Sequence, residues 1–231
     1  MSLFRISPTK NFVGPHQNQQ VLKAGANLNN AKAVMIMIHG RGASAESILQ
    51  LGTSLNHADK ITFLAPQASN FAWYPYSFLA PQEQNQPGLN SGLQAIFDII
   101  ALVETQGFDM DKIFLLGFSQ GACLASEFIA RHPAKYAGLI ALSGGLIGNN
   151  ILSDNYSGNL EQTPVFMGCS DVDPHIPMQR LTETATIFEK INGSLTKRIY
   201  PGMGHLVNDD EIDHINQMLD ARFIDLDIPE N

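Results

Sequence analysis

The chain has 231 residues, 44% of them hydrophobic, and a formal charge of −8 from 22 acidic and 14 basic residues. That length and apolar content predict a single domain spanning 1–231 with a core large enough to hold it together. The cations are scattered and form no stripe, and no apolar run reaches the about eighteen residues of a membrane span, so nucleic acid and integral membrane association are both disfavoured.

Residues 1–30 are polar and rich in Gln and Asn; they are read as one or two edge strands or a hairpin. The start lacks the apolar core of a secretory signal. Ala33 to Ile38 is an apolar run ending at His39-Gly40, the mark of a strand buried on both faces. A helix is expected over 43–57 from the spacing of Ile48, Leu49, Leu51 and Leu55. A second buried strand covers 61–65, and an aromatic loop covers about 70–88. Leu93, Ile96, Ile99, Ile100 and Val103 form the stripe of an amphipathic helix over 89–106. The third buried strand is 113–116, and the helix after Ser119 runs to about His132, where Pro133 stops it. Further strands are expected at 138–142, 164–167 and 196–200, with helices at 178–191 and 209–222. The alternation predicts an α/β fold with a mostly parallel central sheet and helices on both faces. Ligands of such sheets bind at the carboxyl ends of the strands.

Four strand ends carry chemistry: His39-Gly40-Arg41-Gly42, Gly117-Phe118-Ser119-Gln120-Gly121, Ser170-Asp171-Val172-Asp173 and Gly202-Met203-Gly204-His205. A serine bracketed by glycines at a strand-to-helix junction is the pattern of a nucleophile elbow. The strained turn exposes the Ser119 hydroxyl and points the Gln120 N–H at an incoming oxyanion. The partners follow in the order serine, acid, histidine. His205 is the favoured base, alone in a glycine-bracketed loop after a late strand, with His175 as its competitor. The acid is Asp171 or Asp173. The Arg41 N–H supplies a second oxyanion donor, and its side chain is read as a solvated or ion-paired surface charge. Trp73, Tyr74, Phe78, Leu79, Leu146 and Met203 are candidate walls of a substrate pocket, and the 146–163 loop is either a flap or a surface connection. No metal spacing is present among the seven histidines, and no cofactor is expected. Cys123 and Cys169, each in an apolar segment, are read as buried thiols, which suits a cytoplasmic protein.

Taken together, these four segments resemble the phospholipase/carboxylesterase family of α/β-hydrolases, from about residue 30 to residue 222. The likeness implies the α/β-hydrolase fold, and it implies Asp173 as the acid, because Asp173-Pro174-His175-Ile176-Pro177 is similar to the family's D-x-x-V-P. It implies a serine esterase acting on small or medium acyl esters through an acyl-enzyme. Lysophospholipase or acyl-protein thioesterase activity on the same triad is the alternative, with a non-catalytic binding protein behind it. The expected partner is a small-molecule ester or thioester, and a homodimer is compatible. Ala43 and Ala122 depart from residues common in acyl-protein thioesterases, an aspartate and a glycine.

Overall fold

The computed structural model describes residues 1–227. One eight-stranded sheet runs through the chain in the order β1-β2-β4-β3-β5-β6-β7-β8. Its strands are β1 (Ser2–Phe4), β2 (Val21–Gly25), β3 (Ala33–Ile38), β4 (Ile61–Pro66), β5 (Ile113–Phe118), β6 (Gly138–Leu142), β7 (Pro164–Ser170) and β8 (Ser194–Tyr200). The two N-terminal strands are antiparallel to their neighbours, and all pairings from β4 to β8 are parallel. Residues 1–30 therefore supply one edge strand, β1, and a second strand, β2, that lies between β1 and β4.

Among the described residues, five α-helices cover the sheet: α1 (Ala45–Thr53), α2 (Gly88–Glu104), α3 (Gln120–Arg131), α4 (Met178–Lys190) and α5 (Asp209–Asp227). Alternation along β3 decides the layers. Val34, Ile36 and Ile38 pack toward α2, α3 and α4, whereas Ala33, Met35 and Met37 pack toward α1 and α5. A strand covered on both sides has no polar face to keep, which is why its sequence is uniformly apolar.

The structure moves several expected boundaries, among them the end of α5, which runs to Asp227 and not 222. Helix α1 is shorter than 43–57, because Ser44 and Ser47 form a reciprocal capping box at its start and His57 turns the chain with φ 59° beyond its end. Strand β7 extends through Gly168, Cys169 and Ser170, which pair with Arg198, Ile199 and Tyr200 of β8. Strand β8 begins at Ser194, two residues early, and as an edge strand with an exposed face it has no apolar run to mark it.

The 146–163 connection is pinned. Leu146 and Ile147 are buried. The fully buried Glu127 accepts the Ile147 N–H at 2.9 Å and the Tyr156 hydroxyl at 3.2 Å, and Arg180 donates to Leu146 O at 2.8 Å. A buried carboxylate held by Arg131 at 2.7 Å thus ties residues 146–147 and Tyr156 to the core, while 152–155 between them are exposed.

Candidate active site

Ser119 sits between β5 and α3 with φ 56° and ψ −121°, a backbone conformation that side chains rarely adopt. Such a residue costs about 1–3 kcal/mol and persists only where its surroundings hold it. Here the Ser119 N–H donates to Leu142 O at 2.9 Å, and Ser119 O accepts from the Cys123 N–H at 3.0 Å. Gly117 and Gly121 supply the room. A Cβ on Gly117 would meet Gly121 O at 2.3 Å, and one on Gly121 would meet Ile38 O at 2.0 Å. The glycines thus let the first turn of α3 rest directly on β5 and on the end of β3. The alanine at 122 is accommodated from the opposite side: a Cβ on Gly144 would lie 2.4 Å from the Ala122 methyl.

Three strand ends converge. The Ser119 hydroxyl donates to His205 Nε2 at 2.8 Å, and His205 Nδ1–H donates to Asp173 Oδ2 at 2.7 Å. Burial pushes the Asp173 carboxyl up, but hydrogen bonds from His205 and from the N–H groups of His175 and Ile176 outweigh it and hold it below its ordinary value. Asp173 is therefore ionised when it faces the imidazole. Asp171 acts elsewhere, on the backbone of the His205 loop. Its Oδ1 accepts the Gly202 N–H at 2.8 Å, while Ser170 Oγ accepts the Gly204 N–H at 3.0 Å. These two bonds fix the loop that carries His205. His175 stands edge-on to His205 with ring centroids 4.8 Å apart, and it lines the cavity without bonding to the serine.

A cavity of about 620 Å³ opens in front of Ser119, lined in part by Tyr74, Tyr76, Phe78, Phe118, Cys123 and Ile176. Of the expected walls, Tyr74 and Phe78 line it, whereas Trp73, Leu79, Leu146 and Met203 do not. Trp73 is fully buried, its indole N–H donating to His39 O at 2.9 Å. Leu146 is likewise in the core, Leu79 packs against the core from outside, and the Met203 sulfur faces Asn208 Nδ2 at 2.8 Å.

Cys123 was not expected at the cavity. It is a buried thiol, pushed up to about 12 by burial, and so no thiolate nucleophile. Arg41 is exposed, as a surface charge should be, but its guanidinium is not free: it donates to three loop carbonyls at 2.6–3.0 Å.

His16 and His39 are both buried around Trp73. His39 Nδ1–H donates to Gly40 O at 2.8 Å and Nε2 accepts the Ala68 N–H at 3.1 Å. His16 Nε2–H donates to Trp73 O at 2.9 Å. Burial holds both imidazoles below their ordinary value.

The phospholipase/carboxylesterase family profile matches residues 19–222. The chain belongs to this family. Membership makes it a carboxylic ester hydrolase of the α/β-hydrolase fold. It is 30% identical to an acyl-protein thioesterase 1 from Kluyveromyces lactis, over 82% of this chain and 91% of that one. A phospholipase/carboxylesterase crystal structure from Dyadobacter fermentans superposes with a TM-score of 0.86 at 42% identity, covering 90% of this chain and all of that one. The carboxylesterase of Bacillus cereus shares the fold at a TM-score of 0.71 and 17% identity, over 89% of this chain and 95% of that one. Among the described residues, no helix is long and apolar enough to cross a membrane.

One residue of the His205 loop's anchorage was missed. Fully buried Glu211 accepts the Asn208 N–H at 3.0 Å, while Asn208 Oδ1 accepts the Glu211 N–H at 2.9 Å. The capping-box spacing Asn208-x-x-Glu211 was readable at the start of α5. Glu211 Oε1 lies against Gly168 with no donor among the described residues, and burial pushes the carboxyl up to about 7. The folded chain therefore keeps a proton that the unfolded chain, with its carboxyl near 4.5, has lost. Stability should fall as pH rises from about 4.5 to 7, by up to ~3 kcal/mol. Denaturant titrations across that range should show Glu211→Gln with a flatter profile than wild type; parallel profiles would refute the assignment.

Proposed function

We propose that this chain hydrolyses carboxylic esters of small or medium acyl groups with Ser119 as nucleophile, His205 as general base and acid, and Asp173 as the residue that orients the imidazole. The observation that carries this reading is the unbroken hydrogen-bonded chain from Ser119 Oγ through His205 to the Asp173 carboxylate, at 2.8 and 2.7 Å. His205 takes the proton as Ser119 Oγ attacks the ester carbonyl, forming a tetrahedral oxyanion. The N–H of Gln120, first in α3 and without an intrahelical acceptor, and the N–H of Arg41 after β3 stabilise that oxygen. His205 then returns the proton to the departing alcohol. Water, deprotonated by the same imidazole, releases the acid from Ser119. The ion pair with Asp173 stabilises the imidazolium formed in each half.

The name carried by the Kluyveromyces lactis relative favours thioester cleavage as a second reading on the same residues. Two free, buried cysteines support a cytoplasmic setting. A fluorophosphonate probe is expected to label the wild-type chain at Ser119, and p-nitrophenyl esters are expected to be turned over faster than an acyl thioester of the same chain length. No labelling of folded protein would refute the triad; faster thioester turnover would favour the second reading.

A further inference from the structure

Arg41 and Gln120 have side chains that meet where their proposed oxyanion roles do not require it. Tyr74 O accepts Gln120 Nε2–H at 2.9 Å and Arg41 Nη2–H at 2.8 Å. The guanidinium also donates to Tyr76 O at 2.6 Å and Pro75 O at 3.0 Å, and its carbon lies 5.9 Å from the centroid of the Tyr74 ring. Gln120 Oε1 accepts the Trp73 N–H at 2.8 Å. The segment 72–78 is neither helix nor strand, so its carbonyls have no ladder to join. Tyr74, Pro75 and Tyr76 line the cavity in front of Ser119. A planar fork reaches three consecutive carbonyls at once, which a lysine ammonium at the end of a flexible stem does not reproduce.

We propose that the Arg41 guanidinium is a specificity-determining positioning group: by clamping the carbonyls of residues 74–76 it fixes the cavity wall against which the substrate's acyl group packs. This role rests on the ester-hydrolase reading above. It also gives the guanidinium a purpose other than binding a substrate carboxylate, since both terminal nitrogens are already engaged by the protein.

The test is a series of p-nitrophenyl esters from acetate to decanoate, assayed with wild type, Arg41→Met and Arg41→Lys. The quantity read is the spread, the ratio of the largest to the smallest kcat/KM in the series. Any displacement of the Arg41 N–H weakens oxyanion stabilisation for every ester alike and cancels in that ratio. A loosened wall does not cancel, because packing discriminates between acyl groups. The spread is expected to contract by about tenfold in Arg41→Met and about threefold in Arg41→Lys, with the preferred ester losing mainly in KM. Arg222→Lys, which disturbs the remote pair with Asp111 (2.8 Å), should lower stability and leave the spread alone. Arg41→Lys keeps the test open should the methionine variant not fold. A uniform loss across the series, with the spread within twofold of wild type, overturns the proposal. A wild-type chain inactive on every ester removes the ester-hydrolase reading and the Arg41 role with it.

Discussion

Ser119→Ala is expected to lower kcat toward a p-nitrophenyl ester by roughly 10⁴- to 10⁶-fold while leaving the fold in place. The size of the loss follows from the geometry. Without Oγ there is no atom to form the acyl-enzyme, and a water attacking directly would have to be placed by the cavity alone. The oxyanion donors and the His205–Asp173 pair survive, so a residual rate above the uncatalysed one should remain. Stability is expected to change little. Alanine meets the same φ of 56° as serine, and the side-chain bond lost is one to a partly exposed imidazole. Steady-state kinetics beside a thermal melt checks both halves. Activity within tenfold of wild type in a correctly folded variant would mean that the 2.8 Å contact to His205 is incidental.

The reason this site is legible in the sequence is that its parts are local. Each of Ser119, Asp173 and His205 is marked by the few residues around it: glycines at 117 and 121, the aspartate turn at 173–176, the glycines at 202 and 204, even though the bonds that hold the His205 loop come from Ser170 and Asp171. The parallel sheet then brings the strand ends together without further instruction. The cavity wall is different. Whether Trp73 faces the substrate or the core is decided by an acceptor 34 residues away, His39 O, and by His16 from the N-terminal segment. Arg41 reads as a surface charge in sequence because its acceptors are backbone carbonyls 33 to 35 residues on, and carbonyls carry no sequence signal. The same asymmetry holds for the fold. Strands β3 to β6 are apolar except for the hydrogen-bonded Thr62 because both faces are covered, whereas the start of β8 is specified only by its pairing with β7.

The largest stability effect should come from Gly121→Ala. One added methyl would stand 2.0 Å from Ile38 O, 2.6 Å from the Ile38 carbonyl carbon and 2.7 Å from His39 O. These are backbone atoms at the end of a central strand that stays paired with β5 through Ile38, so they have little room to move. Helix α3 would have to lift instead. Its residues 120–130 are all buried, and lifting them opens gaps along the helix. A cost above about 3 kcal/mol is expected, the range of severe overpacking. The displacement would also carry the Gln120 N–H and the Ser119 elbow away from His205, so whatever folds should be a poor esterase. Gly42→Ala provides the contrast. Gly42 lies in the neighbouring strand-end loop at φ 76°, with nothing among the described residues within 4 Å of an added Cβ, so only the backbone penalty of about 1–2 kcal/mol applies. Denaturant midpoints should therefore rank wild type above Gly42→Ala and Gly42→Ala well above Gly121→Ala, with the last read by soluble yield and protease resistance if it does not fold. A Gly121→Ala chain as stable as Gly42→Ala would show that the close seat of α3 on β3 is not what sets the elbow.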